Sequence, residues 1–461
     1  MLDIWTPVVS DDKLHPNFKA LTSLSYYKET LSTIKSWTNG FVDRDGKIVK
    51  EFQTTFNSTY WEFYLNAVFT ELNFDIDFSY SRPDFLLKKS DVYINAEATI
   101  SSHPDGSQPE WERELPTDVN LKFMHEIVYL ATIRMANTIQ SKHKKFCEEY
   151  SKLKHVEGNP FILCIAPFEQ PFFFAQGDVA IRRILYKFNS PLYLKNRETG
   201  KINIIGEEYT DKVIKDNNAE IELGFFTDER MKEISAIIFS NTATTTKVQA
   251  LNSKKYPNTI FNAVRYNAKS WDKPHFIAGR GGEFTETILD GLHVFLNPYA
   301  TIKFDPSLLR HKDIIFHYYD IDTNTSLTQV EDGALISHGC MNFAYGEKSM
   351  PAPLRDVSAK NFNKKIPPWE DDKLYELNAR VGLGINNHIA HYKGWTIVVF
   401  QDSIDNDWAA IAKPVLVYEI QQFILYQGDD IGISNFYASK SEAYCAIKND
   451  IDSTTKTSAD K

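Results

Sequence analysis

Apolar residues recur at 61, 64, 65, 68, 69 and 72 within YWEFYLNAVFTELN (60–73), and this spacing predicts a helix, capped by Ser58 or Thr59. The period then changes. FDIDFSY (74–80) alternates as a half-buried strand does, and SRPDFLLKK and DVYINAEAT (81–89 and 91–99) read as two strands joined by a short polar turn at 88–91. A polar, proline-containing loop covers 101–116. A long helix is expected from about 117 to 154, with Asp118 near its start, lysines near its end, and Asn159-Pro160 stopping it. FILCIAPF (161–168) is a continuous apolar run, the mark of a strand buried on both faces. Residues 178–188 predict another helix, and ISAIIFS (234–240) a second buried strand. The threonine-rich stretch after it reads either as a loop over the sheet or as the turn of a β-turn-β unit. The order over 58–168 is therefore α-β-β-β-α-β, an α/β (α+β) sandwich with a mixed sheet.

Past residue 245 the pattern weakens. Residues 346–372 carry Pro351, Pro353, Pro367 and Pro368 and read as a linker or surface excursion. Strands are expected at 396–400 and around 415–425. A helix follows in SKSEAYCAIKN, where Ser439 and Glu442 fit a capping box, and the tail from 453 reads as disordered. The expected divisions are an N-terminal extension at 1–56, a main domain at 57–245, an accessory α/β region at 246–345 and a C-terminal α/β region at 346–461.

Length changes this picture little: 461 residues call for two or three cores. The 31 Phe and 23 Tyr favour strands and well-filled interiors. No apolar run approaches the roughly 20 residues needed to span a bilayer. The first residues lack a basic region followed by an apolar stretch, so no secretory signal or membrane partner is expected, and a cytoplasmic location is. Cys147, Cys164, Cys340 and Cys445 form no CxxC pair, which argues against zinc and against a disulfide framework. A net charge of −10 disfavours a protein that coats nucleic acid everywhere, but leaves room for a local basic groove.

The candidate chemistry lies in 58–145. If the turn centres on Ser90 and Asp91, Asp84 at the start of one strand and Glu97 near the end of the next fall opposite each other. Their Cβ atoms would then stand about 5 Å apart. Two carboxylates that close repel unless a cation lies between them, and Mg²⁺ (or Mn²⁺) suits a few carboxylate oxygens with positions left for water and phosphate. Glu62 on the preceding helix can reach the edge of the same site. Set against this, each acid taken singly reads as an ordinary solvent-facing or hairpin residue.

An acid on a first helix, a Pro-Asp at a strand start (Pro83-Asp84) and an acid-x-x tripeptide on the next strand (Glu97-Ala98-Thr99) together resemble the PD-(D/E)XK nuclease superfamily, over about a quarter of the chain. The resemblance implies a restriction-endonuclease-like core. It implies Asp84 and Glu97 as metal ligands, Glu62 as accessory acid, and a metal-dependent nuclease acting on nucleic acid. Double-stranded DNA is the expected substrate, restriction or antiviral defence the expected role, and a homo-oligomer or a defence-system protein the expected partner. The departure is Thr99, where the pattern has lysine; threonine cannot supply that charge. Some members take the basic group from the following helix. In RMANTIQSKHKKF (134–146), Arg134, Thr138, Ser141, Lys142 and Lys145 share one stripe. Lys142 is the expected replacement and Lys122 a second candidate, with Arg134 and Lys145 positioned for phosphates. The plainer reading of the stripe is a solvated, lysine-rich helix end. Loss of the lysine also admits a degenerate fold kept as a nucleic-acid-binding or protein-interaction scaffold, and an RNA nuclease toxin is a third possibility.

Other signals are weaker. Gly279-Arg280-Gly281-Gly282-Glu283 lacks the lysine and hydroxyl of a P-loop and no clear strand precedes it, so a turn is expected, with Arg280 free to touch a phosphate or base. The twelve histidines show no HExxH or HxH spacing, and His388 and His391 have no acid nearby at ligand spacing. Ser337-His338-Gly339-Cys340 suggests a thiol nucleophile only weakly; a structural cysteine fits better.

Overall fold

The computed structural model describes residues 2–24, 27–101, 109–112, 121–168, 170, 172–195, 202–215, 217–257, 259–269, 274–342, 372, 374–376, 385–392, 395–401, 406–413 and 437–459. Much of the expected loop at 101–116, the expected linker at 346–372 and the expected strand around 415–425 lie outside these residues.

The chain folds as mixed α/β around one large sheet. Three short helices open it, α1 (Pro16–Ser23), α2 (Lys28–Ser36) and α3 (Ile48–Thr54), before α4 (Asn57–Glu71). Strands β1 (Asp75–Asp77), β2 (Phe85–Lys89) and β3 (Val92–Ile100) follow, then α5 (Leu121–Glu148), β4 (Phe161–Ala166) and α6 (Val179–Tyr186). From α4 to β4 this is the expected element order. Two separate hairpins come next, β5 (Phe188–Lys195) with β6 (Ile202–Tyr209) and β7 (Lys212–Ile214) with β8 (Glu220–Glu222). The main sheet resumes with β9 (Ala236–Phe239). After α7 (Thr245–Leu251), strands β10 (Thr259–Arg265), β11 (His275–Arg280) and β15 (Leu335–Asn342) form a small sheet of their own. Between them β12 (Leu292–Leu296), β13 (Ile314–Asp320) and β14 (Thr325–Gln329) return to the large one.

The strand order in the large sheet is β1-β2-β3-β4-β9-β12-β13-β14. Pairing is antiparallel from β1 to β3 and parallel from β3 through β4 to β9. It is antiparallel again at β9–β12, parallel at β12–β13 and antiparallel at β13–β14.

The continuous apolar runs are buried on both faces because helices cover both. Ile162, Cys164 and Ala166 of β4 enter one core, with α1 to α4. Phe161, Leu163 and Ile165 enter the other, with α5 and α6. Residues before 57 thus pack on the main sheet, through Phe18, Ile34, Trp37 and Phe52. The sheet also runs past 245, since β12 to β14 extend it.

Several elements differ from expectation. α4 buries Phe63 and Asn66 as well as the predicted positions, because it is covered on more than one side. β1 is a three-residue edge strand rather than a seven-residue one. α5 stops at Glu148, short of 154, and a tighter turn at Tyr150–Lys152 follows. After β9 comes neither expected alternative but the helix α7, with Thr244 Oγ1 accepting from the Thr246 N–H. A strand, β11, does lead into the glycine turn; most of its residues are exposed, so it shows no apolar alternation. Gly281 is required there, since a Cβ would stand 1.9 Å from the Tyr256 carbonyl oxygen.

The last helix, α8 (Lys440–Ala459), begins at the expected cap, where the Ser439 hydroxyl accepts from the Glu442 N–H at 3.3 Å. It continues to Ala459, through residues expected to be disordered. It packs on the sheet of β16 (Tyr375–Glu376), β17 (Ile385–Tyr392), β18 (Trp395–Gln401) and β19 (Trp408–Lys413) in a core of its own.

Candidate active site

The β2–β3 hairpin sets the two acids. Lys89 pairs with Val92 and Phe85 with Ala96, so the loop is the two residues Ser90 and Asp91, and continuing the register one step past the strand end sets Asp84 opposite Glu97. Ser90 takes the left-handed backbone (φ 55°) that a two-residue hairpin loop demands. Ala96 and Ala98 point into the core beneath α4, so Glu97 points to the opposite face, toward α5.

Lys142 meets it there. Ile139 and Phe146 of α5 are buried, and Lys142 stands at i+3 from the first, on the flank of the same stripe. A lysine so placed is turned toward the sheet and needs an anion. Its Nζ donates to Glu97 Oε1 at 2.7 Å, and the Glu97 side chain is 4% exposed. Tyr150, in the turn that follows α5, donates its hydroxyl to the same oxygen at 3.1 Å. Burial and the Glu97 charge push the Tyr150 phenol up, so it remains a donor. Asp84 Oδ2 accepts the Ala98 N–H at 2.8 Å. Among the described residues no hydrogen bond reaches Asp84 Oδ1 or Glu97 Oε2, which leaves one oxygen on each acid for a cation.

The electrostatics fit a cation. Burial, then the Glu97 carboxylate, raises Asp84 to about 7, against the opposing pull of the Ala98 N–H, Lys142 and Arg44. Burial, then Asp84, raises Glu62 well above the usual carboxylate range. An oxygen-only donor set with surplus negative charge suits Mg²⁺ or Mn²⁺. Glu62 is not a third close ligand: among the described residues, the triads with donor atoms within 4.8 Å of one another are His143, Cys147 and Glu233, and Asp178, His293 and His317. Burial, with the charges of Asp84 and Glu97, favours the protonated form of Glu62.

An open cleft of about 650 Å³ meets the site at Lys142 and Thr99 and is lined also by Arg134, Thr138, Ser141 and Lys215 among others. Four of the five residues of the expected stripe therefore share one wall. The fifth, Lys145, places its ammonium over the Tyr150 ring, 5.0 Å from the centroid. Arg134 is half-buried. Lys122 lies on α5, but its side chain is outside the described residues. Two contributors carry no sequence signal. Tyr150 lies past a helix end that no glycine or proline marks, and Arg44 comes from a segment with no legible pattern. Arg44 also donates to the Tyr80 carbonyl, which ties that segment to the loop before Asp84.

Asp84 gives a pH prediction. Its folded-state value of about 7 exceeds the ordinary 3.8, so without metal the folded chain keeps a proton that the unfolded chain releases. Its contribution to stability is full below about pH 4, falls as pH rises to about 7 and is flat beyond. Melting in EDTA across that range should show the decline, and Asp84→Asn should remove that component of it. Mg²⁺ affinity should rise with pH up to about 7 and then level.

Elsewhere, His338 Nδ1 pairs with Glu286 Oε1 at 2.8 Å, and Cys340 Sγ donates to Gln249 Oε1 at 3.2 Å. The Ser337–Cys340 stretch thus serves buried packing and polar contacts. His388 Nε2 lies 2.9 Å from Lys440 Nζ. Comparison of the chain with family models, with curated proteins and with solved structures returns no match, so its functional reading rests on the geometry of these side chains.

Proposed function

We propose that this chain is a Mg²⁺-dependent nuclease, a phosphodiesterase built on a divergent PD-(D/E)XK, restriction-endonuclease-like core, and that its substrate is DNA cut internally. The observation that carries the reading is the Lys142 ammonium 2.7 Å from Glu97, on a helix beside the hairpin that sets Asp84 opposite Glu97. A lysine thus reaches the acids although the tripeptide ends in Thr99. When bound, the metal would supply a polarised phosphate oxygen and an activated water. Asp84 and Glu97 would hold it through the two oxygens left without hydrogen bonds. Lys142 would stabilise charge on the phosphate or orient the water. Tyr150 fixes the Glu97 carboxylate, and Glu62 would serve as an accessory acid at the edge of the pair. Arg134, Lys142 and Lys215 would line the cleft for the phosphate backbone, which reconciles local binding with an acidic chain. A cytoplasmic role in restriction or antiviral defence, as a homo-oligomer or with a partner protein, follows from the superfamily resemblance.

The test is incubation of the purified chain with supercoiled plasmid and with structured RNA, in Mg²⁺, in Mn²⁺ and in EDTA. Plasmid cutting in either metal, absent in EDTA and lost in Asp84→Ala, is expected. Cutting that survives Asp84→Ala sinks the site assignment, and preference for RNA sinks the DNA reading. Absence of cutting with retained DNA binding would favour a scaffold in which Lys142 merely neutralises Glu97.

A further inference from the structure

On the far side of the sheet from the N-terminal helices, the fold gathers three ligand-type side chains that lie far apart in sequence. His293 is on β12 and His317 on the parallel strand β13, where Phe295 pairs with His317. Residues two apart share a face, so both imidazoles project from the α6 side of the sheet. Asp178 is the residue that caps α6, which packs on that side. His293 Nδ1 lies 3.0 Å from His317 Nε2. Asp178 Oδ2 lies 4.0 Å from the first and 3.9 Å from the second.

We propose that Asp178, His293 and His317 form a binding site for a divalent first-row transition-metal ion, Zn²⁺ in the first instance, separate from the Asp84–Glu97 pair. The triangle has the right size. A point equidistant from its three corners lies about 2.1 Å from each, which matches zinc–nitrogen and zinc–oxygen bond lengths of roughly 2.0–2.2 Å. Asp178 Oδ2 is buried and accepts no hydrogen bond, an acceptor left open where a cation would satisfy it. Two imidazoles and one carboxylate suit zinc or iron better than magnesium. Both rings are nearly inaccessible, and burial holds both histidines below their ordinary range, in the neutral form that ligates. A Thr328 hydroxyl lies 3.0 Å from His317 Nδ1; accepting there makes Nε2 the acceptor of the His293 Nδ1–H, a hydrogen bond that a bound ion would replace once His293 carries its proton on Nε2. Three protein ligands leave a further position for water or an exogenous group, and Asp178, 19% exposed, marks the way in. Arg182 Nη1 stands 4.0 Å from Asp178 Oδ2, so a bound ion shares that carboxylate with a guanidinium.

The test uses the full chain stripped of metal, titrated with Zn²⁺ against a chromophoric chelator and with Co²⁺ by visible absorption. One tight equivalent is expected, with the Co²⁺ bands of nitrogen and oxygen ligation. Asp178→Asn and His317→Gln should each weaken it by at least about 100-fold, while Cys147→Ser and Glu97→Gln leave it unchanged. Circular dichroism of the metal-free variants checks folding. Should His317→Gln not fold, the near-isosteric Asp178→Asn decides alone. The proposal is overturned by the absence of a tight equivalent, or by equal affinity in Asp178→Asn. It is equally overturned by a thiolate band lost in Cys147→Ser, which would place the ion at His143, Cys147 and Glu233. Because the readout is binding, it stands or falls independently of nuclease activity.

Discussion

A chain carrying Glu97→Ala is expected to cleave DNA at least about 10³-fold more slowly than wild type, and raising Mg²⁺ should not restore it. Glu97 does three things at once. It offers one free oxygen to a cation, and its other oxygen accepts from both Lys142 and Tyr150. Removing it takes away a proposed ligand and leaves the Lys142 ammonium without its anion, beside Asp84. That ammonium would then pair with Asp84, and added Mg²⁺ would find one acidic ligand where the proposed site needs two. On the proposed mechanism Lys142→Met removes only the charge-stabilising group and should cost about 10²–10³ in rate while metal binding persists. The double variant should be no worse than Glu97→Ala alone, since the two residues act as a unit. Single-turnover cleavage alongside Mn²⁺ titration separates these outcomes. Wild-type cutting by Glu97→Ala would move the chemistry elsewhere.

The largest stability effect is expected at Lys247→Met, about 3–5 kcal/mol of destabilisation, read as a lowered urea midpoint. The Lys247 and Glu286 side chains are fully buried and lie 2.5 Å apart, and Lys247 also donates to the Asp290 carbonyl at 2.8 Å. Burial alone would raise Glu286, but His338 and then Lys247 outweigh it and hold the carboxyl at about 2. Without Lys247, a buried carboxylate keeps only the imidazole. Glu286 is depressed below its ordinary 4.5, so its contribution is present above about pH 4.5 and is lost as pH falls toward 2. The pair joins α7 to the segment before β12, so its loss should loosen that junction first.

The hairpin is legible in the sequence because its chemistry is local. A polar turn between two strand-like segments fixes a register, and that register puts Asp84 opposite Glu97. Lys142 is legible because helical phase relates it to Ile139 and Phe146. What stays hidden depends on chain reversals and distant packing. Tyr150 reaches Glu97 only because α5 breaks at Glu148, where the sequence carries no breaker. His293 and His317 show no motif because parallel strands bring together residues 24 positions apart. The apparent boundary at 245 arises because β12 to β14 read weakly as isolated segments, although they complete the sheet.

That sheet has a practical consequence for anyone dissecting the protein. β9 is paired on both sides, to β4 and to β12, and Ala236 to Phe239 are all buried. A fragment ending at 245 would carry the acids, the lysine and the cleft, but would bare the backbone donors and acceptors of an apolar strand to solvent. Such an edge invites pairing with a neighbouring copy. Recombinant pieces cut there should precipitate or domain-swap, whereas those that keep residues through Gln329 retain the sheet's own terminus.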